Sequence, residues 1–113
     1  MQFTKPIASL AAFVAAASAV TDQASIFTPG GLPGRCGRDI QNSDLAVALS
    51  PTNYANGAHC GQVIVFQHNG LSVAASVEDE CVACSGNGVD LTSGAFQVLA
   101  PLSDGIISVT YTL

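Results

Sequence analysis

Alternation of apolar and polar positions is clearest in residues 62–68 and 71–79, two β-rich runs separated by Asn69-Gly70. That dipeptide favours a type I′ turn, because both central residues must take positive φ, so the pattern predicts a β-hairpin. In the first run Val63, Val65 and Gln67 alternate with Ile64 and Phe66. In the second, Leu71, Val73, Ala75 and Val77 alternate with Ser72, Ala74, Ser76 and Glu78, giving one apolar and one small-polar face. Such faces suit the wall of a barrel or sandwich. Upstream, residues 45–49 form an unbroken apolar run of strand length, which predicts a strand buried on both faces. Ser50-Pro51 then reads as a cap followed by a first-turn proline, and predicts a one-turn helix through Tyr54. A very short strand is expected at Leu91, before Thr92 caps a helix whose Ala95, Phe96 and Leu99 share a face and which Pro101 closes. The remaining strands are expected near residues 25–28 and over residues 105–113.

The runs Leu49-Ser50-Pro51-Thr52-Asn53-Tyr54 and Leu91-Thr92-Ser93-Gly94-Ala95-Phe96 share leucine, a hydroxyl cap, three residues and an aromatic. This self-similarity suggests two related halves packed as a pseudo-symmetric barrel. A barrel suits a small domain because closure removes free sheet edges.

The start of the chain has a different pattern. Lys5 precedes an apolar, Ala-rich run over residues 7–20, and Ala17-Ser18-Ala19 fits a small-x-small cleavage site. Residues 1–19 therefore read as a secretory signal peptide, too short to span a bilayer. Residues 20–35 read as an N-terminal strand and a Pro/Gly-rich loop leading into the domain. The expected location is extracellular. The rest of the 113 residues is enough for one small domain.

Loss of the leader removes the chain's one lysine and leaves Arg35 and Arg38 against eight acids, a net charge of 2 − 8 = −6. Such a chain lacks the cationic footprint that phosphate backbones need, which argues against nucleic acid, anionic membranes and acidic polysaccharides as partners. A neutral cell-wall polysaccharide or an extracellular protein remains, and a monomer is expected. In an oxidising compartment Cys36, Cys60, Cys81 and Cys84 are disulfide candidates with three possible pairings. A zinc site would need a second Cys or His pair at ligand spacing, and none exists; His59 and His68 are isolated. No metal and no cofactor are expected.

The most site-like stretch is residues 78–96, which carries Glu78, Asp79, Glu80 and Asp90 around Cys81-Val82-Ala83-Cys84 and a Gly-rich turn. Asp79 and Asp90 flank that turn and are the candidate catalytic or ligand-contacting carboxylates. Asp90 equally suits anchoring the turn through backbone N–H groups. Glu78 and Glu80 should point away from Asp79 into solvent. Tyr54 is a candidate for the ligand-binding groove with Asp79 and Asp90, although it and Phe96 also fit a core. With no Trp and two Tyr, a flat aromatic strip for sugar rings is hard to assemble.

The succession Gly34-Arg35-Cys36-Gly37, Val47-Ala48-Leu49-Ser50, His59-Cys60-Gly61, Asp79-Glu80-Cys81-Val82-Ala83-Cys84 and Val89-Asp90-Leu91-Thr92 with Ala95-Phe96 resembles the RlpA-like double-psi β-barrel domains. These include expansin-related loosenins, barwin-like proteins and plant natriuretic peptide-like proteins. The resemblance covers residues 24–113. It implies a mainly β fold, a six-stranded double-psi β-barrel with one or two short helices, and a shallow groove across one face. It also implies a Cys36–Cys60 disulfide and, with it, Cys81–Cys84. Expansins and related endoglucanases carry His-Phe-Asp where this chain has Gly88-Val89-Asp90, so the aspartate is kept and its aromatic neighbour is lost. Lytic transglycosylases of this type carry a histidine after the Val-Ala-Leu strand, where this chain has Leu49-Ser50. A non-hydrolytic protein acting at a cell wall or host surface is the expectation. The alternatives are a weak glycan-cleaving enzyme using Asp90 and Asp79, and an extracellular effector binding a protein receptor.

Overall fold

The computed structural model describes residues 18–113. Most of the expected leader, residues 1–17, lies outside the described residues. The elements are β1 (Val20–Phe27), β2 (Ala46–Leu49), α1 (Pro51–Tyr54), β3 (Val63–His68), β4 (Leu71–Glu80), β5 (Val89–Thr92), α2 (Ser93–Leu99) and β6 (Ile107–Tyr111). Among the described residues, no helix is long and apolar enough to cross a membrane.

The six strands close into a barrel in the order β1-β5-β2-β4-β3-β6. β1 runs parallel to β5, and β2 runs parallel to β4. The other neighbours are antiparallel. The β3–β4 hairpin forms where Asn69-Gly70 predicts it, with φ of 48° at Asn69 and 83° at Gly70. The two similar hexapeptides occupy equivalent places. β2 delivers Ser50 as the cap of α1, its hydroxyl accepting from Asn53 N, and β5 delivers Thr92 as the cap of α2, accepting from Ala95 N. Between them, β2 and β5 lie side by side and antiparallel, with Val47 opposite Leu91 and Leu49 opposite Val89.

The barrel interior is filled by one face of every strand and the buried side of α2. Leu49, Ile64, Phe66, Val77, Leu91, Phe96, Leu99 and Val109 are all essentially inaccessible. Each such side chain contributes about 1.5–3 kcal/mol of transfer free energy. Phe66 and Tyr111 pack with their rings tilted at 48° and centroids 4.9 Å apart. The period-2 reading of β3 holds: Ile64 and Phe66 are buried while Val63 and Val65 are exposed.

β1 departs from expectation by starting at Val20, not near residue 25. Its polar half, Thr21 to Gln23, has weak strand propensity but pairs with Thr110 to Ser108 on β6, so tertiary pairing overrides propensity. β4 also departs from strict alternation. The β2–β4 register slips between Val47 and Ala48, so that Val77 faces Val47 but Asp79 faces Ala48, and Glu78 is the extra residue of a bulge.

Candidate functional site

Asp90 sits on β5 between the core residues Val89 and Leu91, so its side chain leaves the barrel on the outer face. Ser25 of β1 is its register neighbour on one side and Ala48 of β2 on the other. The Ser25 hydroxyl donates to Asp90 Oδ1. Oδ2 lies 3.4 Å from Cys81 Sγ, which carries no proton because Cys81 is bridged to Cys84. Asp90 lines an open groove of about 390 Å³, together with Asp22, Ser25, Ile26, Cys81 and Cys84.

The wall of this groove is the loop between β4 and β5, which is fastened from three elements. From β1, Asp22 accepts from Asn87 N (2.9 Å) through one oxygen and from Gln23 N (2.7 Å) through the other. From α1, the Ser50 hydroxyl donates to Gly86 O (2.8 Å) and Asn53 Nδ2 donates to Asn87 Oδ1 (3.0 Å). From β6, the Tyr111 hydroxyl donates to Asn87 O (2.8 Å). Burial pushes the Tyr111 hydroxyl above its ordinary value; the hydrogen bond from Asn53 opposes this and the nearby Asp22 charge adds to it.

Asp79 has a different setting. Its Oδ1 accepts from the backbone N–H groups of Arg35 and Glu80, both at 2.8 Å. Asp79 and Asp90 both oppose Ala48, so one strand separates them. At the usual strand spacing that puts their backbones roughly 10 Å apart. The expectation that Glu78 and Glu80 point into solvent is corrected. The loop after β1 folds back over the end of β4, and Arg38 Nη2 pairs with the buried Glu78 at 3.0 Å while Arg35 pairs with Glu80. The Glu78 hydrogen bond and charge raise the Arg38 guanidinium above its ordinary value. Gly34 permits this approach, since a Cβ there would overlap the Glu78 carbonyl oxygen.

Disulfides join Cys36 to Cys60 and Cys81 to Cys84, and there are no free cysteines. Among the described residues, the atoms of Cys81, Cys84 and Asp90 form one group of potential metal ligands, all within 4.8 Å of one another. With both sulfurs in a disulfide, the carboxylate is the one anionic ligand of the group.

No family model matches the chain. A papain inhibitor from Streptomyces mobaraensis is 29% identical over 96 residues, which are 79% of this chain and 66% of that protein. The solved structure of the Streptomyces papain inhibitor superposes with a TM-score of 0.74 at 28% identity, covering 84% of this chain and 93% of the inhibitor. An expansin from Clavibacter michiganensis, solved as an Asp-to-Asn mutant in complex with cellohexaose, superposes with a TM-score of 0.78 at 24% identity, over 85% of this chain and 50% of the expansin. The chain is a double-psi β-barrel protein. A protein from Arthroderma benhamiae named allergen Asp f 7 homolog is 35% identical over 79 residues, or 65% of this chain. This double-psi barrel chain spans 27% of that relative's length and 30% of a rice protein named putative ripening-related protein 2.

Of the carboxylates singled out in the sequence, Asp90 lines the groove of the double-psi barrel, whereas Asp79 does not. Tyr54 is 5% exposed and packs in the core, with the Arg35 guanidinium 5.5 Å from its ring centroid. The two histidines are half-buried and each is engaged through Nδ1, His59 with Gln62 Oε1 and His68 with the Ser108 carbonyl of β6. Asp22 and Ser25 join the groove although sequence reasoning passed over them. They fall on opposite faces of β1, Asp22 on that of the buried Ala24 and Ser25 on the outward one, so alternation in this weakly strand-forming segment could not mark them together.

Proposed function

We propose that this double-psi barrel is a secreted, non-hydrolytic protein that binds a neutral polysaccharide chain in the Asp90 groove at a cell-wall or host surface. The observation that carries the reading is Asp90 itself: an outward carboxylate, positioned by Ser25, in an open groove whose wall is fastened at three points. A carboxylate so held can accept hydrogen bonds from sugar hydroxyls and compete for those between glycan chains. The groove's second carboxylate, Asp22, has both oxygens engaged by backbone N–H groups. Asp79 lies outside the groove and accepts two backbone N–H groups through Oδ1. Hydrolysis of a glycosidic bond ordinarily needs a second carboxyl group free to act as base or nucleophile. That favours binding over cleavage. The leader pattern and the two disulfides support secretion, and the expansin solved with cellohexaose supports a glycan as ligand.

The test is a pull-down of the mature protein on insoluble cellulose, chitin, xylan and β-glucan, with reducing ends assayed in the same tubes. Wild type should bind at least one polymer without releasing ends, and Asp90→Asn should weaken binding. Released ends lost in Asp90→Asn would make the protein an enzyme. A second reading, a cysteine-protease inhibitor, is favoured by the near-complete coverage of the papain inhibitor structure. Retention on no polymer together with dose-dependent loss of papain activity would select it.

A further inference from the structure

We propose that opening the Cys81–Cys84 disulfide converts the head of the Asp90 groove into a binding site for a thiophilic divalent cation such as Zn²⁺ or Cd²⁺. This goes beyond the glycan reading and does not require it. Three ligand atoms converge at one end of the groove. The Cys81-Val82-Ala83-Cys84 segment is a tight turn closed by a backbone hydrogen bond from Cys84 N to Cys81 O (3.1 Å), independent of the sulfur bridge. That turn holds both sulfurs on one side, as a Cys-x-x-Cys metal knuckle does. The third ligand comes from a neighbouring strand: an Asp90 oxygen lies 3.4 Å from Cys81 Sγ, and all the ligand atoms fall within 4.8 Å of one another. Two thiolates and a carboxylate suit a borderline-soft cation, and the open groove leaves the fourth position to water. The spacing of cysteines along the chain hides this site, because no second Cys or His pair is present and the missing ligand arrives through barrel pairing.

A dithiol reductant gives up two electrons and two protons and becomes a disulfide. The Cys81–Cys84 bond breaks, and each sulfur takes one proton. The cation then displaces both protons into solvent and gathers the two thiolates and one Asp90 oxygen. Metal and glycan would compete for the same carboxylate, so the reduced, loaded form would lose whatever Asp90 contributes to the groove.

The test uses the mature protein and Cd²⁺, whose bonds to thiolate give an ultraviolet charge-transfer band. After reduction by a phosphine, which leaves no competing thiol, wild type should show the band and saturate at one ion per chain. Asp90→Asn should bind about tenfold or more weakly, since losing even an outer-shell partner of a metal ligand typically costs that much. The oxidised protein should show no band. Because reduction also opens Cys36–Cys60, a second variant, Cys84→His, is assayed without reductant. It keeps that bridge and offers thiolate, imidazole and carboxylate, and it should bind one Cd²⁺ in a manner sensitive to a further Asp90→Asn change. Absence of the band in both proteins would overturn the proposal. So would equal affinity with and without the Asp90 carboxylate, since the carboxylate would then be no ligand.

Discussion

The Cys36–Cys60 bridge ties the loop after β1 to the turn before β3 across 24 positions of sequence, whereas Cys81–Cys84 spans 3. A cross-link stabilises a fold chiefly by removing freedom from the unfolded chain, and the effect grows with the logarithm of the loop closed. Evaluated at these separations and about 25 °C, the chain-entropy account gives about 3.5 kcal/mol for the long loop and about 1.6 kcal/mol for the short one. Cys36 also packs against the core, so replacing it loses contacts in the same direction. For a domain of this size those losses correspond to falls in melting temperature of about 14–28 °C for Cys36→Ala/Cys60→Ala and about 6–13 °C for Cys81→Ala/Cys84→Ala. Calorimetric melts of the two double variants against wild type measure this directly. Guanidinium titration should also show a larger increase in m for the first, whose unfolded state is released more. If removing the short bridge costs as much as removing the long one, the loop-length argument fails here, and strain or packing at the Cys81 turn dominates.

Gly34→Ala should destabilise the barrel by roughly 1–3 kcal/mol or more, because the new methyl overlaps the Glu78 carbonyl oxygen and lies 2.7 Å from Ile40 Cδ1; a denaturant midpoint equal to wild type would refute that packing. The raised Tyr111 pKa carries a sign. The folded state favours the neutral phenol, so its contribution is complete below the unfolded value near pH 10 and is lost as pH rises through the higher folded value. Melting temperature should therefore fall more steeply at alkaline pH in wild type than in Tyr111→Phe, as read by melts from neutral pH upward.

Local chemistry made half of the barrel legible in advance. The Asn69-Gly70 turn fixes the β3–β4 hairpin and its register, and the Ser50 and Thr92 caps place both helix starts. These features need only neighbours in sequence. The rest depends on partners far along the chain. β1 is a strand because β5 and β6 supply hydrogen bonds that its polar first half could not secure alone. Glu78 is buried because of a bulge opposite β2 and an arginine 40 positions away, and neither leaves a mark on the alternation of β4. The candidate site divides in the same way. Asp90 could be singled out from its own segment, but Ser25 reaches it across 65 positions. Asp79 could be named as a second candidate, but the group that holds its carboxylate, the backbone N–H of Arg35, lies 44 positions away.

The place of β1 in the ring has a consequence for how the molecule is made. β1 is first in the chain, yet both its neighbours, β5 and β6, come from the last quarter, and Val20 meets Tyr111. A chain synthesised N-terminus first can assemble the β3–β4 hairpin as soon as it emerges, but β1 must wait for the final strand. Ring closure therefore waits until β6 has emerged, and it runs through contacts of long sequence separation, the kind that slow folding most. Until then β1 is an unpaired edge open to pairing with other chains. The interval between release of β6 and capture of β1 is the stage at which this small barrel is most exposed to aggregation.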